Sequence, residues 1–272
     1  MSAASRQWTT SIGFALAIAL YASRADAHAG TGLPGGVVQG FAHPFGGLDH
    51  LLAMVSVGLW GAFLGRPLIY ALPIVFPVVM VVGAAFGMFG VPLPRVEIGV
   101  ALSVLVLGLC IAAAWRAPIV AAALIVALFA LFHGYAHGRE LPSAADPIGY
   151  SVGFVLATGL LHVLGIGIGA LAERPRAAII VRALGAAIAC IGVVFVRNAA
   201  SAGAAVELGE AAPLLALAPL AAGMTFLATR VATSRRAIVP KVVAGWLLAV
   251  ALLATLLHFV PITLGYMPDH LE

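Results

Sequence analysis

Between Pro67 and Pro94 the chain runs PLIYALPIVFPVVMVVGAAFGMFGVPLP, without one charged side chain. A helix rises about 1.5 Å per residue, so roughly 20 such residues cross a hydrocarbon core about 30 Å thick. The run is long enough to cross and too continuous for a barrel strand, which predicts a transmembrane helix and an all-α bundle. Similar runs follow along the chain. Residues 37–64 are apolar apart from Asp49 and two histidines, 98–115 carry no charge, and 117–138 hold histidines only. Beyond the polar connector 139–146 come 148–171, 177–196 (with Arg182 near its start), 211–229 (with Pro213 and Pro219) and 242–260. The expected total is eight spans in a polytopic helix bundle.

Composition agrees. Of 272 residues, 63% are apolar and 9% charged, against about 25% charged in soluble domains. Such a chain is solvated by lipid. The 14 Lys and Arg outnumber the 10 Asp and Glu, but they are scattered singly, so no nucleic-acid surface is implied. Cys110 and Cys190 each sit in an apolar run, which excludes a disulfide framework or cysteine metal cluster and leaves packing as their role. No phosphate-binding loop of the Gly-x-x-x-x-Gly-Lys-Ser/Thr kind occurs, so the chain carries no ATPase motif of its own.

Residues 1–27 read as a secretory signal: Arg6 begins it, 12–21 are apolar, and Ala25-Asp26-Ala27 fits a cleavage site. The mature chain then starts at His28, whose free amine and imidazole could chelate an ion. Lys and Arg set the orientation. With His28 outside, the cytoplasmic connections hold Arg66, Arg116, Arg174, Arg176, Arg230, Arg235, Arg236 and Lys241, and the outer ones Arg95, Arg139 and Arg197. Both mature termini lie outside, in what is expected to be a bacterial inner membrane.

Ionisable groups inside spans are costly and mark a pathway or site. The first span opens Gly40-Phe41-Ala42-His43-Pro44-Phe45-Gly46-Gly47-Leu48-Asp49-His50. On an ideal helix His43 and His50 share a face but stand about 10 Å apart along the axis, too far for one ion. Pro44 and the Gly46-Gly47 pair permit an irregular turn that brings His43 back toward Asp49 and His50. The fourth span ends Phe132-His133-Gly134-Tyr135-Ala136-His137-Gly138-Arg139-Glu140. His133 and His137, at i and i+4, lie one turn apart on one face, and Glu140 extends it. Imidazole and carboxylate together suit nickel, cobalt or zinc. Topology puts the start of the first span, the end of the fourth and Glu97 at the start of the third at one membrane face, where they could form one outward-facing site. His162 lies roughly 20 Å into the fifth span, either as an inner relay or as a packed core residue. His258 and His270 have no neighbouring partners in sequence and are read as structural.

The string His43-Pro44-Phe45-Gly46-Gly47-Leu48-Asp49-His50-Leu51-Leu52-Ala53-Met54, with Phe132 to Glu140, resembles the HupE/UreJ family of hydrogenase and urease accessory proteins. Leu93-Pro94-Arg95-Val96-Glu97, Ser103 and Gly108 also fit its pattern. The resemblance implies a permease that moves nickel, or in some members cobalt, inward for a metalloenzyme maturation system, with His43, Asp49, His50, Glu97, His133 and His137 handling the metal and Glu140 beside them. It covers residues 28–196, a six-helix membrane domain. Residues 197–272, with two further spans, go beyond the family's usual extent and suit oligomerisation, as a homo-oligomer, another partner or a modified substrate route. On this reading Ni²⁺ or Co²⁺ is the transported substrate and no cofactor is held permanently. Two other functions fit the same side chains: an intramembrane zinc-dependent hydrolase with Asp49 as base, which lacks a His-Glu-x-x-His motif, and a non-transporting metal sensor or assembly subunit.

Overall fold

A computed structural model of the chain describes residues 33–141, 146–201 and 238–259. Every regular element within them is helical: α1 (Leu33–Gly46), α2 (Leu48–Leu64), α3 (Leu68–Met88), α4 (Val96–Ala112), α5 (Ile119–Glu140), α6 (Pro147–Ala170), α7 (Pro175–Ser201) and α8 (Ile238–Leu257), with a 3₁₀ turn, Leu171–Glu173, leading into α7. Hydrocarbon offers the backbone no hydrogen bonds, and a helix satisfies its N–H and C=O groups within one segment. Helices α3, α5, α6 and α7 are each long and apolar enough to cross a membrane, and α1 with α2 makes a fifth if that bent pair is one span. The chain is a multi-pass membrane protein. The expected signal segment 1–27, His28, the expected span 211–229 and His270 lie outside the described residues.

The four long helices coincide with the runs 67–94, 117–138, 148–171 and 177–196. The first expected span is instead broken, with α1 and α2 meeting at 85°. Pro44 has no N–H for the carbonyl of Gly40, and Gly47 takes an extended backbone before α2 begins. The third expected span is the 17-residue α4, and the last is α8, apolar over Lys241–Leu257. Helix α6 opens on Asp146-Pro147: Asp146 Oδ1 accepts the Gly149 N–H at 2.9 Å, and proline occupies the first turn, where its missing N–H costs nothing. Arg182, the charge inside an expected span, donates Nε–H to the carbonyl of Ala112 at 2.8 Å. That carbonyl closes α4, where helix carbonyls lack partners of their own, so the guanidinium serves the end of a neighbouring helix.

Small residues decide how the helices meet, because lipid tails supply no hydrophobic drive between them and close packing must. A Cβ at Gly134 would overlap the carbonyl oxygen of Met80, and one at Gly138 that of Ala84. Facing positions thus advance together along α3 and α5, which run in the same direction. Gly192 faces Leu105 and Gly185 faces Ala112, so α4 and α7 run in opposite directions. Both legs of the broken pair cross α6 at glycine, Gly40 over Tyr150 and Gly58 over His162. The centre is the cluster around Trp60, Phe76, Met54, Leu59 and Leu72, all fully buried. At the periphery α7 turns Ile179 and Ile180, 70% and 69% exposed, toward lipid. Gly134→Val is expected to destabilise the bundle by at least about 2 kcal/mol through overpacking. A lowered thermal midpoint in detergent would show it, and an unchanged midpoint would contradict the close α3–α5 approach.

Candidate functional site

The break between α1 and α2 turns His43 back over His50, with ring centroids 6.2 Å apart. The shared direction of α3 and α5 brings the last turns of α5 to the same end of the bundle. There His137 lies 4.8 Å from His43 and 4.7 Å from His50, and His133, one turn deeper on α5, lies 5.0 Å from His50. Four imidazoles from three helices therefore share one pocket, with His50 touching the other three. Asp49 and His50 keep 36% and 15% of their side-chain surface exposed, whereas His137 keeps 7% of its residue surface and His133 none. The pocket thus has a mouth at Asp49 and an interior at His133.

Two hydrogen bonds set which ring nitrogens face inward. A carbonyl can only accept, so His133 Nδ1 donates to Phe129 O at 2.9 Å. Asp49 Oδ1 accepts from His50 Nδ1 at 2.9 Å and from the His50 backbone N–H at 2.8 Å. In the neutral rings this leaves Nε2 of both histidines as a lone-pair donor, the form that binds metal. Both Nε2 atoms are buried and have no hydrogen-bond partner among the described residues. Asp49 thus contacts His50 as a carboxylate that orients an imidazole, the arrangement commonly found behind metal-ligating histidines. Among the described residues no three His, Cys, Asp or Glu side chains already stand in a metal-holding arrangement.

Helix α6 supplies the aromatic wall. The edge of Tyr150 meets His43 at 5.6 Å, and Phe154 lies 4.5 Å from His137 and 6.0 Å from His43. A cavity of about 30 Å³ beside His137 is lined by Met80, Tyr150, Phe154, Thr158 and Leu253, bringing α8 to its edge. Tyr150, Phe154, Thr158 and His162 recur every four residues, one stripe down α6 facing the interior. That spacing was legible, but apolar neighbours hid it as ordinary core. His162 ends the stripe, fully buried, with neither ring nitrogen hydrogen-bonded among the described residues. It lies below the four-histidine pocket, edge-on to Phe76 at 5.2 Å.

Of the other expected residues, Glu97 sits apart. Glu97 is exposed on the first turn of α4. Gly99 of that helix faces the Phe132 ring, and a residue two positions earlier points to the opposite side of a helix, so Glu97 is turned away from α5 and its histidines. Glu140 is the last residue of α5, and its side chain lies outside what is described. Ser103 donates to the Val100 carbonyl within α4, and Gly108 makes room for Ala189. His258 is exposed in the turn after α8. Cys110 is buried as expected of a packing residue, whereas Cys190 is exposed on α7.

The profile described as HupE / UreJ protein matches residues 16–195. The chain belongs to the HupE/UreJ family. Protein HupE of Rhizobium leguminosarum bv. viciae is 44% identical over 167 residues, covering 61% of this chain and 87% of that protein. No solved structure gives a significant match. HupE/UreJ proteins are hydrogenase and urease accessory membrane proteins related to nickel and cobalt, accessory or transport proteins rather than enzymes, which sets the zinc hydrolase aside. Every histidine of the pocket lies inside the family match, and α8 lies outside it.

Proposed function

We propose that the chain is a permease that imports a divalent transition-metal ion, Ni²⁺ or Co²⁺, through the histidine pocket at the outer end of the bundle. The observation that carries this reading is the convergence of His43, His50, His133 and His137 from three helices, with the inward Nε2 atoms of His50 and His133 lacking hydrogen-bond partners among the described residues. Imidazole donors suit these ions. Asp49 at the rim holds His50 in its ligating tautomer. The ion exchanges water for imidazole at His43 and His50, passes to His133 and His137, and continues by way of His162. Affinity stays moderate, since an ion that is never released is not transported.

The same reading takes residues 1–27 as a cleaved signal, eight spans, the mature N-terminus outside, and the bacterial inner membrane as the location. The ion is then handed to a hydrogenase or urease maturation system inside. Uptake of radioactive nickel and cobalt into cells expressing the chain, each ion competing with the other, tests this. Saturable uptake that His133→Ala removes is the expected result. Metal binding by the purified protein without any flux would replace it with a non-transporting assembly subunit.

A further inference from the structure

Helix α3 carries Pro73 and Pro77, one turn apart. Pro77 has no N–H for the carbonyl four residues before it, so Pro73 O loses its helical partner, a serious deficit in a dry membrane interior. The partner comes from outside the family match. The indole Nε1–H of Trp246, on α8, donates to Pro73 O at 2.9 Å. The Trp246 ring is seated where Gly159 of α6 leaves no Cβ, and Gly245 lies against Ile74 beside the same proline segment. Helix α8 is therefore bonded to the proline segment of α3, where the hydrogen-bond ladder is interrupted, and interrupted ladders are where helices bend.

That stretch carries Phe76, fully buried. Its ring contacts histidines of both α5 and α6, 5.7 Å from His133 and 5.2 Å from His162. His133 Nε2 and both nitrogens of His162 are buried without hydrogen-bond partners among the described residues. The ring that contacts both sets of imidazole donors is thus apolar and can neither coordinate an ion nor bind water. An ion that moves from His133 to His162 along this contact has to displace it.

We propose that Phe76 is the gate between the outer histidine pocket and His162, and that Trp246 of α8 is the positioning residue that holds the gate-bearing segment of α3 closed. The gate rests on the permease reading for its purpose, but its existence can be tested without transport. A thiol is introduced by His162→Cys in a chain whose Cys110 and Cys190 are replaced by alanine. Its reaction with a membrane-impermeant thiol reagent is then timed on intact cells. With Phe76 and Trp246 in place, labelling is expected to be slow. Phe76→Ala should speed it at least about tenfold, a small fraction of what deleting a buried phenyl ring costs in packing, and Phe76→Leu should speed it less. Trp246→Phe, which keeps an aromatic ring but removes the donor, should also speed it with Phe76 untouched. Parallel chains that keep Cys110, which is buried in α4, report loosening of the whole bundle. Equal labelling with and without Phe76, or acceleration matched at Cys110, overturns the gate, and equal labelling of Trp246 and Trp246→Phe chains overturns the latch. Nickel uptake that persists with no effect of Phe76 on labelling removes the gate alone, whereas Phe76-dependent labelling without any uptake removes the permease reading and leaves the gate.

Discussion

His50→Ala is expected to reduce saturable nickel and cobalt uptake by more than about 100-fold, at or beyond the upper end of what losing an outer-shell partner costs a metal site. The reason is geometric. His50 is the ring that approaches each of the other three, 4.7 Å from His137, 5.0 Å from His133 and 6.2 Å from His43. Its place on the first turn of α2, just past the break, lets one side chain face both α1 and α5. Without it, His43 at the mouth still meets His137, but the ring that approaches His133 is lost. His43→Ala removes a rim ring and leaves the His50, His133 and His137 set intact, so a loss of about 10-fold is expected. Uptake is measured at matched amounts of protein in the membrane. An His50→Ala chain that retained half of the wild-type rate would remove His50 from the ion's route, and with it the pocket as the site of entry.

Much of this arrangement was legible from residues 67–94 outward, because one property decides it. Lipid accepts no charge and no unpaired backbone, so the long uncharged runs among the described residues are helices, and the limits of α3, α5 and α6 follow them closely, whereas α7 takes in Arg176, Arg182 and Arg197. The pairing of His133 with His137 follows from helical spacing alone. What was not legible depends on contacts between segments far apart in sequence. Pro44 and Gly46-Gly47 permit a break between His43 and His50, but they do not reveal that the two legs meet at 85°, each packed on α6 at a glycine. Arg182 reads as an interruption until Ala112 is found beneath its guanidinium. Glu97 shares a membrane face with the histidines by topology, yet the rotation of α4 about its axis, settled by Gly99 against Phe132, turns it outward. Trp246 has no signal in sequence, since its partner is a carbonyl that becomes available only because of a proline on another helix.

The role of Asp49 separates two chemistries that residue type alone could not. As a direct ligand, its carboxylate would act on the ion independently of His50. In the structure Asp49 Oδ1 accepts both the Nδ1–H and the backbone N–H of His50, so its effect is expected to pass through that ring. Asp49→Ala removes the acceptor that fixes the tautomer and ring orientation, and the half-saturating metal concentration is expected to rise about 10- to 100-fold, as when such partners are lost elsewhere. Asp49→Asn keeps an acceptor oxygen of similar reach but no charge, so a smaller loss is expected. The decisive comparison is the double variant. If Asp49 works by orienting His50, Asp49→Ala combined with His50→Ala is no worse than His50→Ala alone, because groups acting as a unit are strongly non-additive. Losses that add would make Asp49 a ligand in its own right and move the first coordination step from the imidazole of His50 to the carboxylate at the rim.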